Sequence, residues 1–335
     1  MNGRNYQIKL FQYLLSSLGE KNFNTKLTAI LNTSIGSLYR RLNGVTMLTM
    51  DELLILQQHF GFSLDAFTAI GENVIISELP TLTNKIQSYR EYANSILMDF
   101  KKIASIPGVK IFYCTSEIPF FHYLAFPELI ALKLAFWCHT TWEFKKIDRI
   151  DQEIEAIVQD KELMDVCREL LQLYNNTAST EIWAVHFFEH TVSQLYYYIE
   201  SGKLKNVETI QVTIEKLYLL IQHYETVLQA GSKKGVNGPV PVQIYLNEIC
   251  HTNNTILVTS PIGGSVHLTH ANPNFLKTTQ QGFINYTEHW MQQLIQKSDL
   301  ISGQSEKRRL AFLEKLKRKL EHLEKQVKED LYDIK

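Results

Sequence analysis

Two adjacent arginines, Arg40 and Arg41, sit in the stretch SIGSLYRRLNG at residues 34–44. A guanidinium can hydrogen-bond guanine O6 and N7 together or pair with a phosphate, so this residue type in a polar helix face points to nucleic-acid contact. Residues 21–50 contain no Asp or Glu but carry Lys21, Lys26, Arg40 and Arg41. Such a local positive surface supplies backbone affinity through counterion release. At about 100° per residue, Ile35, Leu38 and Leu42 share one face and Gly36, Ser37 and Arg40 the opposite one. Tyr39 and Arg41 fall on the flanks. Arg40 is therefore the expected base reader, and Arg41 and Tyr39 the expected phosphate contacts. Before this helix, Asn32 suits the left-handed conformation that ends a helix, and Thr33 or Ser34 can cap the next one.

Other residues invite different chemistry. His186 to His190 spell H-x-x-E-H, the order of a zinc peptidase motif, but the surrounding EIWAVHFFEHTVSQLYYYIE reads as one aromatic-rich amphipathic helix. Cys250, His251, His267 and His270 could suggest a metal site, yet on a strand His267 and His270 point to opposite faces. PIGG at residues 261–264 lacks the frame of a phosphate loop and suits a hairpin turn. No Ser/His/Asp or Cys/His set has a spacing that identifies catalysis, so no catalytic residue, metal ligand or cofactor is expected.

The elements that must position Arg40 and Arg41 are short helices. Apolar spacing predicts helices over residues 6–18, 25–31, 35–42 and 49–60, the last opened by a Thr49/Glu52 capping box and closed by Gly61, with a further turn at residues 63–65. Leu82, Ile86, Tyr89, Ala93, Ile96, Phe100 and Ile103 then alternate spacings of four and three up to Pro107-Gly108. This heptad pattern suits either a dimer seam or a connector packed on its own domain. Beyond it a strand VKIFYC precedes helices over 128–144, 151–174, 180–200 and 207–229. Residues 231–241 read as a loop, followed by the strands VQIYLNEIC, TILVTS and SVHLTH as an antiparallel meander. Residues 305–335 form a charged helix with a stripe of Leu313, Leu316, Leu320, Leu323 and Val327.

The expected fold is mainly α: an N-terminal helix-turn-helix bundle (1–70), a connector or dimerisation helix (71–107), an α+β effector or sensor region with a small antiparallel sheet (108–300), and a C-terminal amphipathic helix (301–335). The 335 residues suit more than one core, and the composition, 45% hydrophobic and 21% charged, is that of a globular protein. Four scattered cysteines without a C-x-x-C pair fit a reducing cytoplasm. The N-terminus lacks a signal-peptide pattern, and the most apolar stretch, residues 118–137, carries two prolines, a histidine and charges, so no membrane span is expected.

The run SIGSLYRRLNG…LTMDELLILQQHFGFSLDAF resembles the Cro/C1-type (XRE-like) helix-turn-helix domains, in particular long uncharacterised regulators that carry such a domain first and a large α+β region after it. FPELIALKLAFW and KSDLISGQSEKRRLAFLEKLKRKL are similar to the same group. The resemblance implies a sequence-specific, dimeric, cytoplasmic transcription regulator that binds double-stranded DNA, with an effector that is a small molecule or a protein. Its DNA-contacting positions map onto Thr25, Thr33, Ser34, Gly36, Ser37, Tyr39, Arg40 and Arg41. The chain departs from the family pattern where Asn24-Thr25 replaces a phosphate-gripping Gln and where Asn32 replaces the turn Gly. The alternatives are a scaffold factor whose helix-turn-helix does not read DNA and an enzyme with a DNA-targeting domain attached.

Overall fold

Two units divide the chain, Met1–Ile76 and Ser77–Lys335. The computed structural model describes residues 3–18, 23–60, 74–82, 85–249 and 253–333. The protein is α+β.

In the first unit α1 (Gly3–Leu18), α2 (Phe23–Ile30), α3 (Ile35–Leu42) and α4 (Met50–Phe60) bury one small core. Leu10, Phe11 and Leu14 of α1 meet Phe23 and Leu27 of α2, Leu38 of α3 and Leu56 of α4. The spacing of these positions by three and four is what turns each apolar stripe inward. The expected capping box opens α4: the Glu52 amide donates to Thr49 Oγ1 at 3.1 Å and the Thr49 amide to Glu52 Oε2 at 2.9 Å. Gly61 and the turn expected at 63–65 lie outside the described residues.

The second unit begins with residues 77–82, bridged to Lys277 at Glu78 and turning at 80–82, and α5 (Tyr89–Ala104). Next come β1 (Lys110–Thr115), α6 (Phe120–Tyr123), α7 (Pro127–Trp137) with a π-helical turn to Trp142, α8 (Ile150–Gln159), α9 (Lys161–Asn175) and β2 (Ala178–Ala184). Then follow α10 (Glu189–Glu200), α11 (Val207–Ala230), β3 (Ser232–Gly235), β4 (Gly238–Asn247), β5 (Thr255–Ser260), β6 (Gly263–Thr269) and β7 (Phe275–Thr278). The chain closes with α12 (Gln281–Gln296), β8 (Asp299–Leu300) and α13 (Glu306–Asp333).

The strands form one mixed sheet in the order β3-β4-β2-β1-β5-β6-β7, with β8 also on β4. Its centre, β4-β2-β1, is parallel, and the β5-β6-β7 wing is antiparallel. Parallel strands need cover on both faces. Ile111 and Tyr113 of β1 and Trp183 of β2 turn to the large helical core, whereas Cys114 and Ile182 turn to the other face, against Ile284 and Met291 of α12.

Several expectations change. Residues 180–200 are not one helix: β2 ends at Ala184 and α10 starts at Glu189, because Glu181, Ile182 and Trp183 are buried in alternate directions on a central strand. The sheet is large, mixed and central, not a small antiparallel one. VQIYLNEIC contributes β4, which pairs parallel with β2, while TILVTS and SVHLTH pair as expected. Residues 231–241 form a β3-β4 hairpin in place of a loop, and α12 was not anticipated. The helix expected over 151–174 divides at Asp160, whose carboxylate caps α9 through the Leu163 amide and pairs with Arg90 of α5 at 2.7 Å.

The heptad positions are not a free seam. Leu82 and Ile86 precede α5, and Ile86, Tyr89, Ala93 and Phe100 are buried in the core of their own unit, where α5 packs on α9. Likewise Leu313, Leu316, Leu320, Leu323 and Val327 of α13 are buried against α10 and α11. Residues 77–107 of the expected connector and the C-terminal helix are thus parts of the second unit. Among the described residues no helix is long and apolar enough to cross a membrane.

Candidate functional site

Most of the expected contact residues gather on α3 and the turn before it. The α2–α3 turn is closed by Leu31 N–H donating to Leu27 O at 2.9 Å and Thr33 N–H to Thr28 O at 3.0 Å. Asn32 adopts φ +44°, the left-handed conformation that an asparagine tolerates. Ser34 caps α3, its hydroxyl accepting from the Ser37 amide at 3.3 Å.

From this frame Ser34, Gly36, Tyr39 and Arg40 are exposed, with Thr33 and Ser37 half-buried. A Cβ added to Gly36 would meet nothing within 4 Å, so the backbone there is open to close approach. Arg40 makes no side-chain hydrogen bond or ion pair with any described residue, which leaves its donors available. Thr25 and Lys26 are exposed on α2. Beside Thr25, Asn24 Nδ2 donates to the Tyr39 hydroxyl at 3.3 Å and ties that turn to α3.

Two assignments are corrected. Ile35, expected on the buried face, is 51% exposed, because its place in the first turn puts it ahead of the Leu38 contact with the bundle. Arg41, expected to grip phosphate, has only 14% of its side chain exposed. Its Nη2 pairs with Glu52 Oε1 at 2.6 Å, its Nε with Oε2 at 3.2 Å, and Nη1 donates to the Ser37 hydroxyl. Both donor edges are turned inward, so Arg41 braces α3 against α4. Partial burial works against the charge on Glu52, but the hydrogen bonds from Arg41 and Thr49 outweigh it and hold the carboxyl below its ordinary range.

Gln7 is the residue that sequence reading missed. Buried on α1, it donates from Nε2 to Arg41 O at 2.6 Å and Thr46 O at 2.8 Å, and its Oε1 accepts from the Leu48 amide at 2.7 Å. It thereby fixes the exit from α3. A polar residue within the apolar stripe of Tyr6, Leu10 and Leu14 was the available signal.

The competing constellations resolve into local contacts. His186 lies in the turn before α10 and pairs through Nδ1 with Glu189 at 2.7 Å; Glu189 also meets Lys319 of α13. His186 and His190 are therefore not successive turns of one helix. His267 on β6 bonds through Nε2 with Ser265 Oγ at 3.0 Å, and His270 is exposed; Cys250 and His251 are outside the described residues. Among the described residues no group of three His, Cys, Asp or Glu is placed to hold a metal.

A buried polar cluster lies beneath the parallel strands. Glu181 accepts from Trp183 Nε1 at 2.8 Å and from the Tyr174 hydroxyl, and sits 3.2 Å from His122 Nε2. Burial opposes its charge, but His122 and these hydrogen bonds carry its pKa down to about 2. Lys233 donates to Tyr174 O, Thr177 O and Ser179 Oγ at 2.8, 2.6 and 3.0 Å, while burial draws its own pKa down to about 7. With each of its three donors used, the ammonium joins α9 to the β2 and β3 strands.

None of the protein families, curated proteins or solved structures compared with the chain matches it.

Proposed function

We propose that the protein is a sequence-specific DNA-binding regulator, in which α2 and α3 act as a helix-turn-helix and α3 enters the major groove. The observation that carries this reading is the division of labour between the two arginines: Arg41 is tied to Glu52, while Arg40, exposed on the same outward face as Gly36, has no side-chain partner among the described residues. Arg40 reads a base, and Ile35, exposed in the first turn of α3, is able to meet a thymine methyl group. Thr25, Thr33, Ser34, Lys26 and Tyr39 contact phosphates and set the register. Ser37 and Arg41 support α3 from behind.

Two such units on a palindromic site would stand about one DNA turn, ~34 Å, apart. Neither leucine-rich stripe is free to pair them, so dimerisation is assigned to another surface or to DNA itself. The second unit then serves as the sensing or assembly region.

Selection of bound fragments from random duplex DNA by the full chain tests the proposal, followed by a salt titration on the selected site. The expected slope is about −0.9 in log K against log salt for each phosphate neutralised. A second reading, docking of another protein on α3, draws on the exposure of Ile35 and Tyr39, each 51%. It would be favoured if selection returned no duplex.

A further inference from the structure

The second unit contains a cavity of about 180 Å³ between α5 and the antiparallel wing of the sheet. Its walls are mostly apolar: Ile96 and Phe100 of α5, Ile111 of β1, Ile256 and Val258 of β5, and Phe275 of β7. Cavities with such walls exclude water and accept small apolar molecules; one of about 150 Å³ accommodates benzene. Polar side chains also border it, Ser95, Asp99, His267, Asn274 and Lys277 among them, and two of these bear on a ligand. Asn274 presents a buried Oδ1 that accepts no hydrogen bond from any described residue. His267 faces the same space with its Nε2 engaged by Ser265. Burial, helped by nearby Lys277, pushes the His267 pKa down to about 4, with Asp99 pulling the other way, so the ring is neutral at physiological pH.

The cavity is closed on one side by the segment at residues 77–82, which supplies Pro80 and Thr81. This strap is pinned by paired backbone bonds, Glu78 N–H to Lys277 O at 2.7 Å and Lys277 N–H to Glu78 O at 2.8 Å. It is also the first segment of the second unit, directly after Ile76 in the chain. An occupant touching Pro80 and Thr81 therefore bears on the peptide that leads out of the first unit.

We propose that this cavity is the binding site for a small, uncharged, predominantly apolar molecule of one or two rings that offers one hydrogen-bond donor to Asn274 Oδ1. A charged ligand would give up its hydration against walls that are mostly apolar, where Asp99 and Lys277 offer one charge of each sign. The site stands on the cavity's geometry alone; its use as a signal, through strap 77–82, rests on the regulator reading.

5-Fluoroindole, which is neutral and carries one N–H donor, is the probe, with octanoate as an anionic counterpart. Fluorine NMR on the full chain should give saturable binding with Kd on the order of 0.1 mM, as expected for so few heavy atoms. Removing the donor, in 1-methyl-5-fluoroindole, should weaken binding about fivefold in the natural chain and not in Asn274→Leu. Ile256→Trp, which fills the cavity, should weaken 5-fluoroindole at least about tenfold; Ile96→Trp, entered from half-buried α5, serves if the first variant fails to fold. Hydrogen exchange at residues 77–82 should slow in the presence of probe. The proposal is overturned by the absence of saturable binding, by undiminished binding to a folded tryptophan variant, or by tighter binding of octanoate. DNA binding is followed on the same preparation: probe binding without any duplex binding keeps the ligand site and removes only its signalling role.

Discussion

Replacing Glu52 by alanine tests how α3 is held. Three contributions disappear together. The capping box at Thr49 contributes about 1 kcal/mol. The bidentate pair with Arg41, partly buried, contributes roughly 1–2 kcal/mol after discounting for its remaining exposure. The Arg41 guanidinium, left 14% exposed, must then turn to water or stay unpaired. Their sum is about 2–3 kcal/mol of local stability, equivalent to roughly 30- to 150-fold faster amide exchange. Hydrogen exchange on the full chain, read over residues 34–60, measures it. Glu52→Gln keeps an acceptor for the Thr49 amide but not the ion pair and should recover about 1 kcal/mol. Arg41→Ala should cost about 1–2 kcal/mol, and the double variant should be less destabilised than the sum of the two singles by a similar amount. Because the Glu52 carboxyl is held below its ordinary 4.5 in the folded chain, its contribution is present in full above that value and is lost as pH falls through the folded-state pKa. Exchange changed by less than about threefold in Glu52→Ala would refute the bracing role of the pair.

Further outcomes follow from the same contacts. Gln7→Leu removes three partly buried hydrogen bonds, to Arg41 O, Thr46 O and the Leu48 amide, so local stability should fall by about 2–3 kcal/mol in exchange measurements. Lys233→Met leaves Tyr174 O, Thr177 O and Ser179 Oγ without their shared donor and should lower the melting temperature of the second unit, at a cost of about 1–3 kcal/mol. His267 is held neutral by burial, so it penalises the fold only on protonation: stability should decline as pH falls from 6.5 towards 4, and His267→Phe should flatten that part of a thermal-melting profile. A chelator should leave the melting temperature unchanged, since no described cluster of ligands is placed to hold a metal.

How far the residues alone could foretell this arrangement depends on the range of the interactions involved. The turn at Asn32, the Ser34 cap and the Thr49/Glu52 box were readable because each is settled within four residues. The role of Arg41 was not, since its partner lies eleven positions on and only the packing of α3 against α4 brings them together. Strand β2 escaped notice because a central strand buried on both faces loses the alternation that marks a half-exposed one, and Ile182-Trp183-Ala184 ran into the apolar residues ahead of α10. The pattern of VQIYLNEIC announced a strand but not its neighbour; pairing with β2 is decided by the crossover through α10 and α11. The heptad of α5 was correctly apolar, yet periodicity cannot say whether the surface it meets belongs to another chain or, as here, to α9. The cavity draws on α5, four strands and the strap, so no local window of sequence contained it.

The central claim, that Arg40 reads a base while Arg41 only supports the helix, is tested most directly by comparing Arg40→Ala and the natural chain on the duplex returned by selection and on single-base variants of it. Loss of about 1–3 kcal/mol on the selected site, with relaxed preference at one base pair and unchanged melting temperature, is the predicted result. Equal binding of every duplex by both proteins, or no duplex binding by the natural chain, would contradict it.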